Sequence, residues 1–80
     1  MASDPKPIIP SDHTEDRMKA RTISLNQLVV AIRKPTRRMA GNTHYTERLE
    51  RDYPNGRILS VVIEEQPLCI RVVTTYWVGE

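Results

Sequence analysis

Eighty residues, 39% of them hydrophobic and 28% charged, suffice for one small globular domain, since a chain this short buries only about 60% of the surface its unfolded form exposes. That length excludes doubly wound nucleotide folds and (β/α) barrels, the single cysteine excludes an internal disulfide or a cysteine zinc site and makes a reducing, cytoplasmic setting the expectation, and no apolar run reaches the ~18 residues of a membrane span. The net charge is only +2, but Arg17, Lys19, Arg21, Arg33, Lys34, Arg37 and Arg38 all fall in a stretch from Arg17 to Thr46 that contains no Asp or Glu.

Pro5, Pro7 and Pro10 mark residues 1–10 as an extended arm outside the core, leaving 11–80 as a single domain. The first helix is expected to start with Asp12 as N-cap and Glu15 three residues on, the spacing of a capping box, with Asp16 adding to a negative first turn. It should run to about Arg21. Its apolar content, Met18 and Ala20, is thin, so its stability must come from docking. A second helix is better specified. Ser24 caps it, Gln27 completes the box, Ile23 and Leu28 form a hydrophobic staple, and Leu25, Leu28, Val29 and Ile32 recur at helical spacing. Pro35 ends it at Lys34.

Beyond residue 35 the period changes. Ile58–Ile63 and Leu68–Trp77 are rich in β-branched and aromatic residues and are joined by Glu64-Glu65-Gln66-Pro67, which reads as an antiparallel hairpin. Residues 43–52 fit a strand or a helix; a strand is preferred because a lone hairpin is marginal in water and the Pro54-Asn55-Gly56 turn needs a partner before it. Residues 36–42 add a short edge strand. The expected architecture is α+β, with two N-terminal helices packed on an antiparallel sheet of three to four strands. Its expected core is Ile23, Leu25, Leu28, Val29, Ile32, Leu49, Ile58, Val62, Leu68, Ile70 and Val72.

Two groups of residues could carry chemistry. His13, Arg17 and Arg21 recur at i, i+4 and i+8 and share one helix face. An imidazole to move a proton and guanidinium groups to hold a phosphate suit phosphodiester chemistry; the plainer reading pairs the arginines with Asp12 and Asp16 as a solvated surface. In the last strand, strict alternation puts Leu68, Ile70, Val72, Thr74 and Tyr76 on one face. Thr74 and Tyr76 would then emerge beside the helices and offer a hydroxyl and a phenol to a phosphate or a base, unless they are simply good strand formers. Cys69 reads as an inert small hydrophobe. Two histidines without an acidic cluster give no expectation of a metal. Lys34, Arg37, Arg38 and His44 are the candidates for attraction to a nucleic-acid backbone.

The opening His13-Thr14-Glu15-Asp16-Arg17-Met18-Lys19-Ala20-Arg21-Thr22-Ile23-Ser24 resembles the H-x-x-x-R-M-x-x-R-x-I-S start of a widespread family of small, uncharacterised prokaryotic domains. The ending Arg71-Val72-Val73-Thr74-Thr75-Tyr76 resembles its V-(I/V)-T-x-Y finish, and Gly56-Arg57-Ile58-Leu59 fits its middle. The resemblance covers residues 11–77 and departs at Thr14, where many members have a small residue, and at Thr22, where many have Gly. That family is distantly similar to the RelE/ParE-like and colicin-type ribonuclease toxins. The resemblance implies helices on an antiparallel sheet, metal-independent RNA cleavage without a cofactor, and His13, Arg17, Arg21, Thr74 and Tyr76 as site residues. The expected function is a toxin-like endoribonuclease that cuts RNA through a 2′,3′-cyclic phosphate, with RNA and an antitoxin or immunity protein as partners and no membrane. The general acid would be His44 or Tyr76. The rival expectation is a non-catalytic RNA- or protein-binding module with the same fold.

Overall fold

The computed structural model describes residues 6–41, 43 and 45–79. The chain runs β1 (Ile8–Pro10), α1 (Asp12–Arg21), α2 (Leu25–Arg33), β2 (Arg37–Ala40), β3 (Glu47–Asp52), β4 (Ile58–Glu65) and β5 (Ile70–Trp77). The strands form one five-stranded sheet in the order β1-β5-β4-β3-β2. It has more strands than expected because part of the proline-rich segment joins it: β1 lies parallel to β5, with Ile8 beside Ile70 and Pro10 beside Val72. A proline is tolerated there because an edge strand has one side with no hydrogen bonds to make. The other neighbours are antiparallel.

Ser11, not Asp12, is the N-cap of α1. Its backbone is extended, and its hydroxyl accepts from the Thr14 N–H at 3.2 Å. The chain leaves β1 with the Ser11 N–H still bonded to the Val72 carbonyl at 3.3 Å, so Ser11 is the last extended residue and Asp12 the first helical one, where its charge favours the helix dipole. Thr14, fully buried, donates its hydroxyl to the same Val72 carbonyl at 3.0 Å. At the other end Thr22 takes a left-handed conformation, φ 55° and ψ 49°. This lets the Ile23 N–H reach the Met18 carbonyl at 2.9 Å and closes the helix in a Schellman-type turn. The Trp77 indole N–H donates to the Arg21 carbonyl at 3.1 Å. Both ends of α1 are thus tied to β5, which is how a helix with few apolar residues stays in place.

The Ser24–Gln27 capping box of α2 is complete in both directions, and Ile23 and Leu28 are both buried in the core. The helices cover one face of the sheet. Leu59, Val61 and Ile63 of β4 point into that core with Leu49, Val72 and Trp77, against Met18, Ile23, Leu28, Ala31 and Ile32. Not every residue expected in the core belongs to it: Leu25, at the first position of α2, is 59% exposed, Leu68, in the β4–β5 turn, is 84% exposed, and Val29 and Ile58 are half-buried and outside the core cluster. Val62 is buried, but it points to the opposite face, between Val61 and Ile63.

One irregularity sets the orientation of the last strand. Ile63 faces Val72 and Val62 faces Thr74, so Val73 is an extra residue, a β-bulge. Before it Ile70 and Val72 face the helices; after it Thr75 and Trp77 do, as partners of Val61 and Leu59. The bulge therefore transfers Thr74 and Tyr76 to the face without helices. Strict alternation had placed them with Val72, beside the helices, and a single inserted residue is enough to reverse that.

Candidate functional site

On the uncovered face, cross-strand partners form rows that run from β2 to β5. One row is Arg37, Glu50, Ser60 and Tyr76; the next is Met39, Arg48, Val62 and Thr74. Ser60 is fully buried and its hydroxyl has no partner among the described residues. Arg48 donates to the Met39 sulfur at 2.8 and 3.2 Å, a weak acceptor for a guanidinium.

The third row holds Glu64 and Arg71, with Ile9 of β1 beside Arg71. Here the sheet opens into a cleft of about 360 Å³. Its floor is Val62, Val73 and Thr74, Ser11 closes the side next to α1, and Thr43, Tyr45 and Thr46 of the β2–β3 loop form the far wall. That wall is built around Thr46, whose hydroxyl accepts from the Thr43 N–H at 3.2 Å and lies 3.0 Å from both the Thr43 hydroxyl and the Thr43 carbonyl. Gly41 permits the close approach, since a Cβ at position 41 would collide with the Thr46 hydroxyl oxygen.

The charges in the cleft are not satisfied by each other. Glu64 and Arg71 are direct cross-strand partners of opposite sign, the arrangement that ordinarily pairs. No ion pair joins them. Glu64 instead accepts from the Gln66 side-chain amide at 2.7 Å, and among the described residues the Arg71 guanidinium has no partner. A carboxylate, a guanidinium and several hydroxyls thus converge on one opening, a donor and acceptor set suited to a ligand that carries both N–H groups and an anion.

Of the residues singled out in the sequence, Thr74 lines this cleft and Tyr76 lies on the same face two positions further along β5, outside the lining. His13 and Arg17 are exposed and Arg21 is half-buried; none of the three lines the cleft. Their row lies about 100° round the helix from the buried Thr14 and Met18. The opposite flank, Glu15 and Lys19, borders a groove with Leu25 at the start of α2. The His13 row is therefore turned away from α2, as is the cleft. Ser11, which lines the cleft, is only two residues before His13, roughly 5 Å between Cα atoms. Among the described residues, neither Arg17 nor Arg21 makes an ion pair with Asp12, Glu15 or Asp16.

The basic run looks different in three dimensions. β2 is paired with the acidic β3, so Arg37 bonds Glu50 at 3.0 Å and also Asp52, and Arg38 bonds Glu47 at 2.8 Å. Lys34 is exposed and without such a partner among the described residues. His44 lies outside the described residues. Glu64, Arg71, Ser11 and Tyr45 were not singled out in the sequence. The available signal was the hairpin itself: once Glu65 faces Ile70, Glu64 must face Arg71. Among the described residues no three His, Cys, Asp or Glu side chains gather as a metal-binding set, and no helix is long and apolar enough to cross a membrane.

Two helices on one face of a five-stranded sheet, with a polar cleft on the other, define a small open-faced α+β domain. The chain belongs to the family described as a domain of unknown function, DUF4258, whose family model matches residues 11–77. No curated protein and no solved structure matches it.

Proposed function

We propose that the protein is a toxin-like, metal-independent endoribonuclease whose substrate lies on the uncovered sheet face and enters the cleft beside α1. The observation that carries this reading is the convergence of Thr74 and Arg71, which has no partner among the described residues, with Ser11, the residue that caps the helix turn bearing His13. In the proposed reaction His13 takes the proton from a ribose 2′-OH, and the 2′-oxygen attacks the adjacent phosphorus. The bond to the 5′-oxygen breaks as that oxygen is protonated by Tyr76 or His44, and a 2′,3′-cyclic phosphate remains. Arg17, Arg21 and Arg71 would hold the phosphate and its developing charge, and Thr74 would orient it. The likeness of the family to RelE/ParE-like and colicin-type ribonucleases belongs to this proposal, as do RNA and an antitoxin or immunity protein as partners.

A second reading, an RNA-binding module without turnover, is favoured by one specific feature: His13 is exposed and does not line the cleft. Incubating the purified protein with total RNA in EDTA, beside a His13→Ala variant, separates the two. The first reading expects cyclic-phosphate ends, a rate lowered by about 10²–10⁴ in the variant with RNA affinity nearly unchanged, and intact DNA. Cleavage that is equally fast without His13, or cleavage of deoxy substrates, would refute the assigned mechanism. Binding without cleavage by the parent protein would establish the second reading.

A further inference from the structure

Resting on the proposal that RNA occupies this face, we infer that the cleft is a guanine-selective nucleotide subsite, in which Glu64 accepts from the base, Tyr45 stacks on it and Arg71 holds its phosphate. The volume of about 360 Å³ lies at the lower end of ligand pockets, roughly 300–1,000 Å³, and so suits a single nucleotide. Its walls supply the three contacts a splayed-out nucleotide uses: an aromatic face, a group that reads the base edge and a cation for the phosphate. Tyr45 is 59% exposed at the rim.

The base identity follows from Glu64. An ionised carboxylate is an acceptor only and can take two parallel N–H donors, one on each oxygen. Guanine alone among the four bases offers two adjacent donors on its Watson–Crick edge, N1–H and the N2 amino group. Adenine and cytosine each set a ring-nitrogen acceptor beside their one amino group, and uracil flanks its single N–H with two carbonyl oxygens; each would bring a lone pair against the carboxylate. The Gln66 amide bonds one Glu64 oxygen and leaves the other without a partner among the described residues; each carboxylate oxygen has two lone pairs, so the bonded one still accepts a second N–H. The absence of a Glu64–Arg71 ion pair means that neither group is neutralised by the other.

The probes are the four ribonucleoside 3′-monophosphates, titrated calorimetrically into the wild-type protein, Glu64→Gln and Arg71→Ala, with circular dichroism as the check that each variant is folded. The inference expects the guanine nucleotide to bind wild type about 10- to 100-fold tighter than the other three, because an unmatched polar group costs about 1–3 kcal/mol. Glu64→Gln should remove most of that preference, and Arg71→Ala should weaken all four nucleotides by a similar factor. Equal affinity for the four, no binding at all, or a guanine preference that survives Glu64→Gln would overturn it. Mapping the ends of cleaved RNA keeps the two proposals distinguishable. Cleavage with no bias toward guanine refutes this subsite and leaves the endoribonuclease reading standing, whereas guanine-selective binding by a protein that cuts no RNA supports the subsite and removes the nuclease.

Discussion

Replacing Thr22 with Gly should make the protein more stable. Thr22 is the only non-glycine residue with positive φ among those described, and it is β-branched, the kind of side chain least tolerant of the left-handed region. For an L-residue that conformation costs about 1–2 kcal/mol, while glycine brings an extra entropic cost of about 0.5–1 kcal/mol on ordering. The difference favours Gly by about 0.5–1 kcal/mol, and at about 4–8 °C per kcal/mol for a domain of this size the melting temperature should rise by about 2–8 °C. Little opposes the gain, because Thr22 is exposed and its backbone bonds in the Schellman-type turn do not need a side chain. The assay is thermal and urea unfolding followed by the fluorescence of Trp77, the only tryptophan, which is buried and donates to the Arg21 carbonyl next to the substituted residue. Thr22→Ala is the control. It keeps Cβ, so it should recover only a small part of the effect. A glycine variant that melts at or below the wild-type temperature, or an alanine variant that gains as much, would show that strain at this position does not limit stability.

Thr14→Val keeps the shape of the side chain but removes the hydroxyl that ties α1 to the Val72 carbonyl; a loss of about 1–2 kcal/mol in urea unfolding is expected, and an unchanged midpoint would mean the bond contributes nothing. Lys6 bonds Glu65 at 2.9 Å and is the main cause of its carboxyl lying below the usual value. Because the folded-state pKa is the lower one, the stability this pair adds is present above the ordinary glutamate range and lost as pH falls through the folded value. With Glu65 exposed and Lys6 half-buried at the surface it should be under about 1 kcal/mol, seen as a wild-type advantage over Lys6→Met that shrinks on acidification through the carboxylate range; a constant difference would refute it. In RNA-binding titrations against salt, Arg17→Ala should flatten the log–log slope by about 0.7, the value for one phosphate contact on a single strand, whereas Arg38→Ala, already bonded to Glu47, should change it less. Equal changes would show that the ion pair opens on binding.

Much of the architecture could be read from the chain because its signals are local. The α2 capping box, the helical spacing of Leu28 and Ile32, the Pro35 stop and the β4–β5 hairpin all depend on residues a few positions apart, and each element forms where expected. The α1 cap was displaced by one residue because the choice between Ser11 and Asp12 depends on where the chain leaves β1, a contact with Val72 across more than half the sequence. The fifth strand was missed for the same reason. Ile8–Pro10 has no periodic pattern of its own and becomes a strand only because β5 offers it an edge.

The candidate site was harder to read because its meaning lies in pairings between strands. From Arg17 to Thr46 the chain is free of acids, yet folding lays β2 beside β3 and places Glu47, Glu50 and Asp52 within reach of Arg37 and Arg38. A charge run predicts a charged surface only when its neighbours in space are also its neighbours in sequence, and in a sheet they are not. The bulge at Val73 acts in the opposite sense. Without it, the alternation that buries Val72 would carry Thr74 and Tyr76 into the helical layer, where a hydroxyl and a phenol could serve only as packing. One extra residue reverses the phase, lets Thr75 and Trp77 complete the core, and turns Thr74 and Tyr76 to the open face. It does so where Ser11 follows β1, so that the N-cap of α1 and the reoriented Thr74 lie at the same cleft. The V-V-T-T-Y ending of the chain is therefore more than a run of strand formers: two consecutive valines followed by two consecutive threonines are what an insertion looks like in a sequence whose faces must still alternate on either side of it.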